Sequence, residues 1–79
     1  MTKDQIMDEI VIIFRNVFED DDLEINEGSS SQNIFEWDSL NHIYLVVAIE
    51  ENFKVKFSTA EIQSWENVGD MIEHIYENT

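Results

Sequence analysis

Cysteine and proline are both missing from these 79 residues, glycine occurs twice, and lysine and arginine together number only four. Without cysteine there is no disulfide, no thiolate metal site and no cysteine nucleophile, and a reducing, cytoplasmic setting fits. The two glycines, Gly28 and Gly69, supply no glycine-rich turn from which a serine hydrolase could build an oxyanion hole. Long apolar runs are missing too. The longest, Ile43 to Ile49, has seven residues, where a membrane span needs about 20. The opening residues, Met1 to Gln5, lead into no apolar block with a small-residue cleavage site, so no signal peptide is expected.

The shortage of cations is the strongest compositional feature. Eighteen Asp and Glu give a formal net charge of −14. A chain of that sign repels phosphate backbones and anionic lipid surfaces, which argues against nucleic-acid and membrane partners. Proteins with basic patches are instead drawn to it at enhanced rates.

What is present is helical patterning. Thr2 followed by Gln5 is a capping box, and Ile6, Ile10, Ile13 and Val17, widened by Phe14, fall on one face of a helix over roughly 3–18. Glu19-Asp20-Asp21-Asp22 ends it, because carboxylates oppose the negative end of the helix dipole. A long connection follows to Trp37, with Leu23, Ile25, Ile34 and Phe35 available as its apolar anchors. Asp38 stands where a helix N-cap belongs, and the apolar pattern from Leu40 to Phe53 is too long for a strand, so a second helix is placed at 39–52. Ser58 and Glu61 form another capping box for a short helix carrying Ile62 and Trp65. Asn67 with Asp70 opens the last helix, which buries Val68, Met71, Ile72 and Ile75.

The expected fold is therefore all-α, a small four-helix bundle of one domain over residues 1–79. Three helices are main and one is short, with a long loop between the first and second. Helix two carries two apolar stripes. Leu45, Val46, Ile49 and Phe53 suit the core, while Leu40, Ile43, Tyr44 and Val47 lie about a quarter to a third of a turn away. A second apolar face in so small a bundle needs a partner or ligand to cover it.

Ser39 sits in the first turn of that helix, where open amides and the positive dipole end favour an anion such as a phosphodiester. Asp38-Ser39-Leu40, the apolar residues after it and Glu50-Glu51-Asn52-Phe53 resemble the acyl carrier protein family in register. The likeness continues through Val55-Lys56-Phe57-Ser58 and on to Val68 and Ile72. It implies a non-catalytic carrier with 4′-phosphopantetheine, derived from coenzyme A, on Ser39. Acyl or aminoacyl groups would ride on the terminal thiol as thioesters. The resemblance also implies that Asp38 caps the helix and meets the phosphopantetheinyl transferase, with that enzyme's magnesium as a route for the contact. Leu40, Ile43, Tyr44, Val47, Glu50, Glu51 and Phe57 would form the docking face for loading and acyl-transfer enzymes with basic patches, met by a monomer.

Fatty-acid carriers of the family usually place a small residue before Asp-Ser-Leu and acids two and five positions after the serine. This chain has Glu36-Trp37 before it and Asn41 and Tyr44 at those places, while Trp37-Asp38-Ser39-Leu40 followed by His42 is similar to stand-alone carriers of specialised pathways. In the fatty-acid carriers the positions of Ile62, Trp65 and Met71 line an inter-helix acyl pocket and are usually smaller, so no large pocket is expected between helices two and four.

Three rival readings stand beside this one. Asp38, Ser39 and His42 do not make a hydrolase, because serine and histidine three apart on one helix point outward. His42 reads as a surface or edge residue and His74, among acidic neighbours, as solvated. An EF-hand begun at Asp20 would need glycine at Ile25 and an acid at Ser31. The open alternative is an acidic helical interaction adaptor with no prosthetic group.

Overall fold

The computed structural model describes all 79 residues, in four helices: α1 (Lys3–Val17), α2 (Ser39–Phe53), α3 (Thr59–Ser64) and α4 (Val68–Asn78). The all-α expectation holds. Each helix begins on a cap visible in the sequence. At α1 the Gln5 amide donates to the Thr2 hydroxyl at 3.2 Å and the Thr2 amide to the Gln5 side chain at 2.9 Å. Ser58 and Glu61 reciprocate in the same way at α3, and the Asp70 amide donates to the Asn67 side chain at 2.9 Å.

Helix α1 ends at Val17, one residue earlier than expected, and its closure is a matter of backbone geometry. Glu19 takes a left-handed conformation with φ 54°, and the Asp20 amide donates back to the Arg15 carbonyl at 3.0 Å. This is the paired geometry usually given to glycine. Lys54 does the same after α2, with φ 57°.

One apolar cluster fills the bundle. α1 packs against both α2 and α4, contributing Ile6, Ile10, Ile13 and Phe14 to the interior. The inner stripe of α2 is buried as expected, at Leu45, Val46, Ile49 and Phe53.

The long connection is anchored differently from the expectation. Leu23 and Ile25 pack against the core and Ile34 is buried, but Phe35 is 97% exposed. Its place is taken by Trp37, whose ring meets Phe14 edge-on at 5.1 Å and Phe18 at 6.4 Å. Ile34 and Trp37 are three apart in a turn closed by the Trp37 amide on the Ile34 carbonyl, so one face of the turn points inward and Phe35 is left outside.

The same connection satisfies the open end of α4. The Val68 amide donates to the Ser29 carbonyl at 2.9 Å and the Gly69 amide to the Glu27 carbonyl at 2.8 Å. A Cβ at Gly69 would lie 3.2 Å from that Glu27 oxygen, which explains a glycine inside a helix despite its cost.

Trp37→Ala is expected to lower stability by about 3–5 kcal/mol, the range for deleting a buried aromatic. Urea denaturation measures this, and a loss under about 1 kcal/mol would mean that the loop is held without the indole.

Candidate functional site

The start of α2 is the best-organised surface feature. Asp38 is its N-cap, with the carboxylate accepting from the Asn41 amide at 2.8 Å, and the Asp38 carbonyl accepts from the His42 amide at 2.9 Å. The Ser39 and Leu40 amides remain as the open donors of the first turn. Ser39 is the first helical residue and is exposed.

Two side chains hold this turn against the preceding loop. Asn41 Nδ2 donates to the Glu36 carbonyl at 2.8 Å, which an aspartate at that position could not do. The Trp37 indole Nε1 donates to His42 Nδ1 at 3.0 Å, and the two rings stack with a 19° interplanar angle. His42 is therefore a half-buried acceptor, consistent with the edge position expected for it. Burial lowers its pKa below the ordinary imidazole value of 6.5, because desolvation disfavours the cation.

His74 departs from expectation. It is half-buried instead of solvated, with Nδ1 accepting from the Trp65 indole and its ring stacked on Phe57. Trp65 lies just beyond α3, as its C-cap, and this bend lays the indole on α4. Trp37, His42 and Trp65 line a surface cleft of about 610 Å³ together with Ser39, Ile43 and Glu66. A second cleft of about 670 Å³, lined mostly by polar residues of the long loop, does not include Ser39.

Along α2 the outer stripe is open. Leu40, Ile43, Tyr44 and Val47 are between 47% and 59% exposed, and Glu51 is exposed beside them. Glu50 is half-buried, its carboxylate accepting from the Phe57 amide at 3.0 Å. Phe57 itself does not share this face. It is a core residue, 9% exposed and packed edge-on to Trp65 at 5.1 Å, because the Glu50 contact turns the α2–α3 link inward. The packing roles of Trp37 and Asn41 were not legible beforehand. Their sequence signal was a bulky aromatic directly before the Asp38 cap and an amide in the first turn of α2.

A four-helix bundle with an aspartate-capped, exposed serine opening its second helix defines the class of small carrier domains. The family model described as the phosphopantetheine attachment site matches residues 8–75, and the chain belongs to that family. It is similar to a holo acyl carrier protein from Geobacter metallireducens solved by solution NMR. The two share 38% identity and superpose with a TM-score of 0.83, over 89% of this chain and 80% of that one. The protein is thus a carrier of the acyl carrier protein family, dependent on covalent 4′-phosphopantetheine, and not an enzyme. Transferases and biosynthetic enzymes are the partners such a carrier serves. Nothing favours the adaptor without a prosthetic group. No helix is long and apolar enough to cross a membrane.

His42 makes the stability pH-dependent. With its folded pKa depressed, the unfolded chain takes up the proton first as pH falls below about 6.5, so His42 contributes least stability at low pH. His42→Gln keeps an acceptor and cannot titrate. Melting temperatures of both proteins from pH 7.5 to 5 should diverge, the wild type losing ground relative to the variant as pH falls. Parallel curves would contradict this assignment, since the carboxylates are common to both.

Proposed function

We propose that residues 1–79 form one carrier domain in which Ser39 holds the phosphopantetheine arm. Acyl or aminoacyl groups then travel on its thiol between partner enzymes. The observation that carries this is the placement of an exposed hydroxyl at the first position of α2, beside a capping carboxylate and two open amides. Those amides and the dipole end favour the phosphodiester oxygens, and the cleft flanked by Trp37, His42 and Trp65 leaves room next to the hydroxyl. The arm supplies the sulfur that the cysteine-free chain lacks.

Asp38 has a dual role in this reading, capping α2 and facing the phosphopantetheinyl transferase. Leu40, Ile43, Tyr44 and Val47 form the docking stripe, with Glu50 and Glu51 at its far end, for loading and acyl-transfer enzymes that present basic patches. Phe57 is not part of this face. Asn41 and Tyr44 make the surface less acidic and more aromatic than that of fatty-acid carriers, which supports a specialised pathway, with the protein working as a monomer in the cytoplasm.

Incubation with coenzyme A and a broad-specificity phosphopantetheinyl transferase should add the mass of one phosphopantetheine. Ser39→Ala should abolish the gain with its helical circular dichroism unchanged. A modified Ala variant, or a wild type that is never modified, would overturn the reading.

The cargo we favour is short, polar or aminoacyl. Leu45 and Ile49 of α2 and Val68, Met71, Ile72 and Ile75 of α4 are at most 2% exposed. Interiors packed this closely leave few voids larger than a water. Trp65 is half-buried and tied to His74 and Phe57, and Ile62 packs beside the cluster. Carriers loaded with acetyl and with a long-chain acyl group should melt together. Each methylene buried would add about 0.8 kcal/mol, so a long-chain form melting well above the acetyl form would show an acyl pocket and exclude this choice.

A further inference from the structure

Phe35 is the most exposed large apolar side chain, at 97%, and the fold makes no use of its ring. The peptide that carries it is nevertheless held firmly. Ile34 and Trp37 on either side are buried. The Trp37 amide donates to the Ile34 carbonyl at 3.1 Å, the Asp38 amide to the Glu36 carbonyl at 3.0 Å, and Asn41 Nδ2 to that same carbonyl at 2.8 Å. An aromatic on a held backbone has only its two side-chain torsions to order when it docks, which suits an interface anchor.

Its position says which partner. Four Cα steps separate Phe35 from Ser39, so the two are at most about 15 Å apart. A standard interface of about 800 Å² per partner is about 16 Å in radius. A footprint of that size centred on the Ser39 hydroxyl is wide enough to include Phe35. Exposed Leu40 and Ile43 follow the serine along α2, and Glu36 and Asp38 add negative charge between Phe35 and Ser39 in the chain.

We propose that Phe35 is an anchor for the phosphopantetheinyl transferase, entering an apolar pocket on that enzyme edged by lysine or arginine. This rests on the assignment of Ser39 as the attachment point. It adds a loop residue to the helical docking stripe.

The test compares apo wild type, Phe35→Ala, Phe35→Tyr and Ile12→Ser as substrates of one broad-specificity phosphopantetheinyl transferase with coenzyme A. Ile12 is an exposed apolar residue of α1 and serves as the control. Phe35→Ala should raise KM for the carrier about tenfold, the effect of removing an interface anchor, with kcat and melting temperature unchanged. Phe35→Tyr and Ile12→Ser should stay within about twofold of wild type. A Phe35→Ala KM within about twofold of wild type, an equal rise for Ile12→Ser, or a rise accompanied by a lower melting temperature would each overturn the proposal. Wild-type dimers in sedimentation that Phe35→Ala dissolves would assign the ring to a second copy of the chain instead. A wild type that takes up no arm at all would instead refute the Ser39 assignment, and this proposal with it.

Discussion

Trp37 meets Phe14 and Phe18 from the loop side while its indole N–H reaches His42, one turn into α2. This one side chain joins the long connection, α1 and the start of α2, and so fixes the first turn of α2 against the rest of the fold. Asn41 reinforces the joint through the Glu36 carbonyl. With the first turn of α2 so held, Ser39 projects from a fixed base, and Phe35 is displaced outward because Ile34 and Trp37 take the inward positions of the turn.

The second constraint is electrostatic. Among 22 formally charged side chains, 18 are acidic, and a single ion pair, Lys3 with Glu73, joins two of them. Cohesion has to come from the apolar cluster and from caps. The caps turn acidity to use: Asp38 accepts at the start of α2, and at α3 the Ser58 amide holds the Glu61 carboxyl below the usual carboxylate range. Acid at a helix N-terminus is favoured by the dipole, so some of the negative charge stabilises the fold while the remainder leaves an anionic surface for basic partners.

Two tryptophan–histidine pairs brace the carrier, Trp37 with His42 and Trp65 with His74. Each indole N–H is satisfied at a histidine Nδ1, which allows Trp37 to be buried and Trp65 half-buried without an orphaned donor. One pair stands beside the cleft at Ser39 and the other ties the end of α3 to α4.

The elements and the inner face of α2 were legible in the sequence because they depend on local chemistry. Capping residues act within three positions, and a stripe such as Leu45, Val46, Ile49 and Phe53 follows from helical period alone. The open stripe of Leu40, Ile43, Tyr44 and Val47 was legible for the same reason, and Ser39 stood out through family likeness. Other features depend on which distant groups meet. Phe35 and Trp37 are equally plausible loop anchors by composition, and only the position of Phe14 and Phe18 on α1 selects the tryptophan. Phe57 could face a partner until Glu50 accepts its amide and turns it into the core, and His74 looks solvated until the bend after α3 brings Trp65 against it. Helical periodicity and caps thus set the elements and both faces of α2, while the choice among apolar loop side chains was made by long-range packing, which only the folded chain brings together.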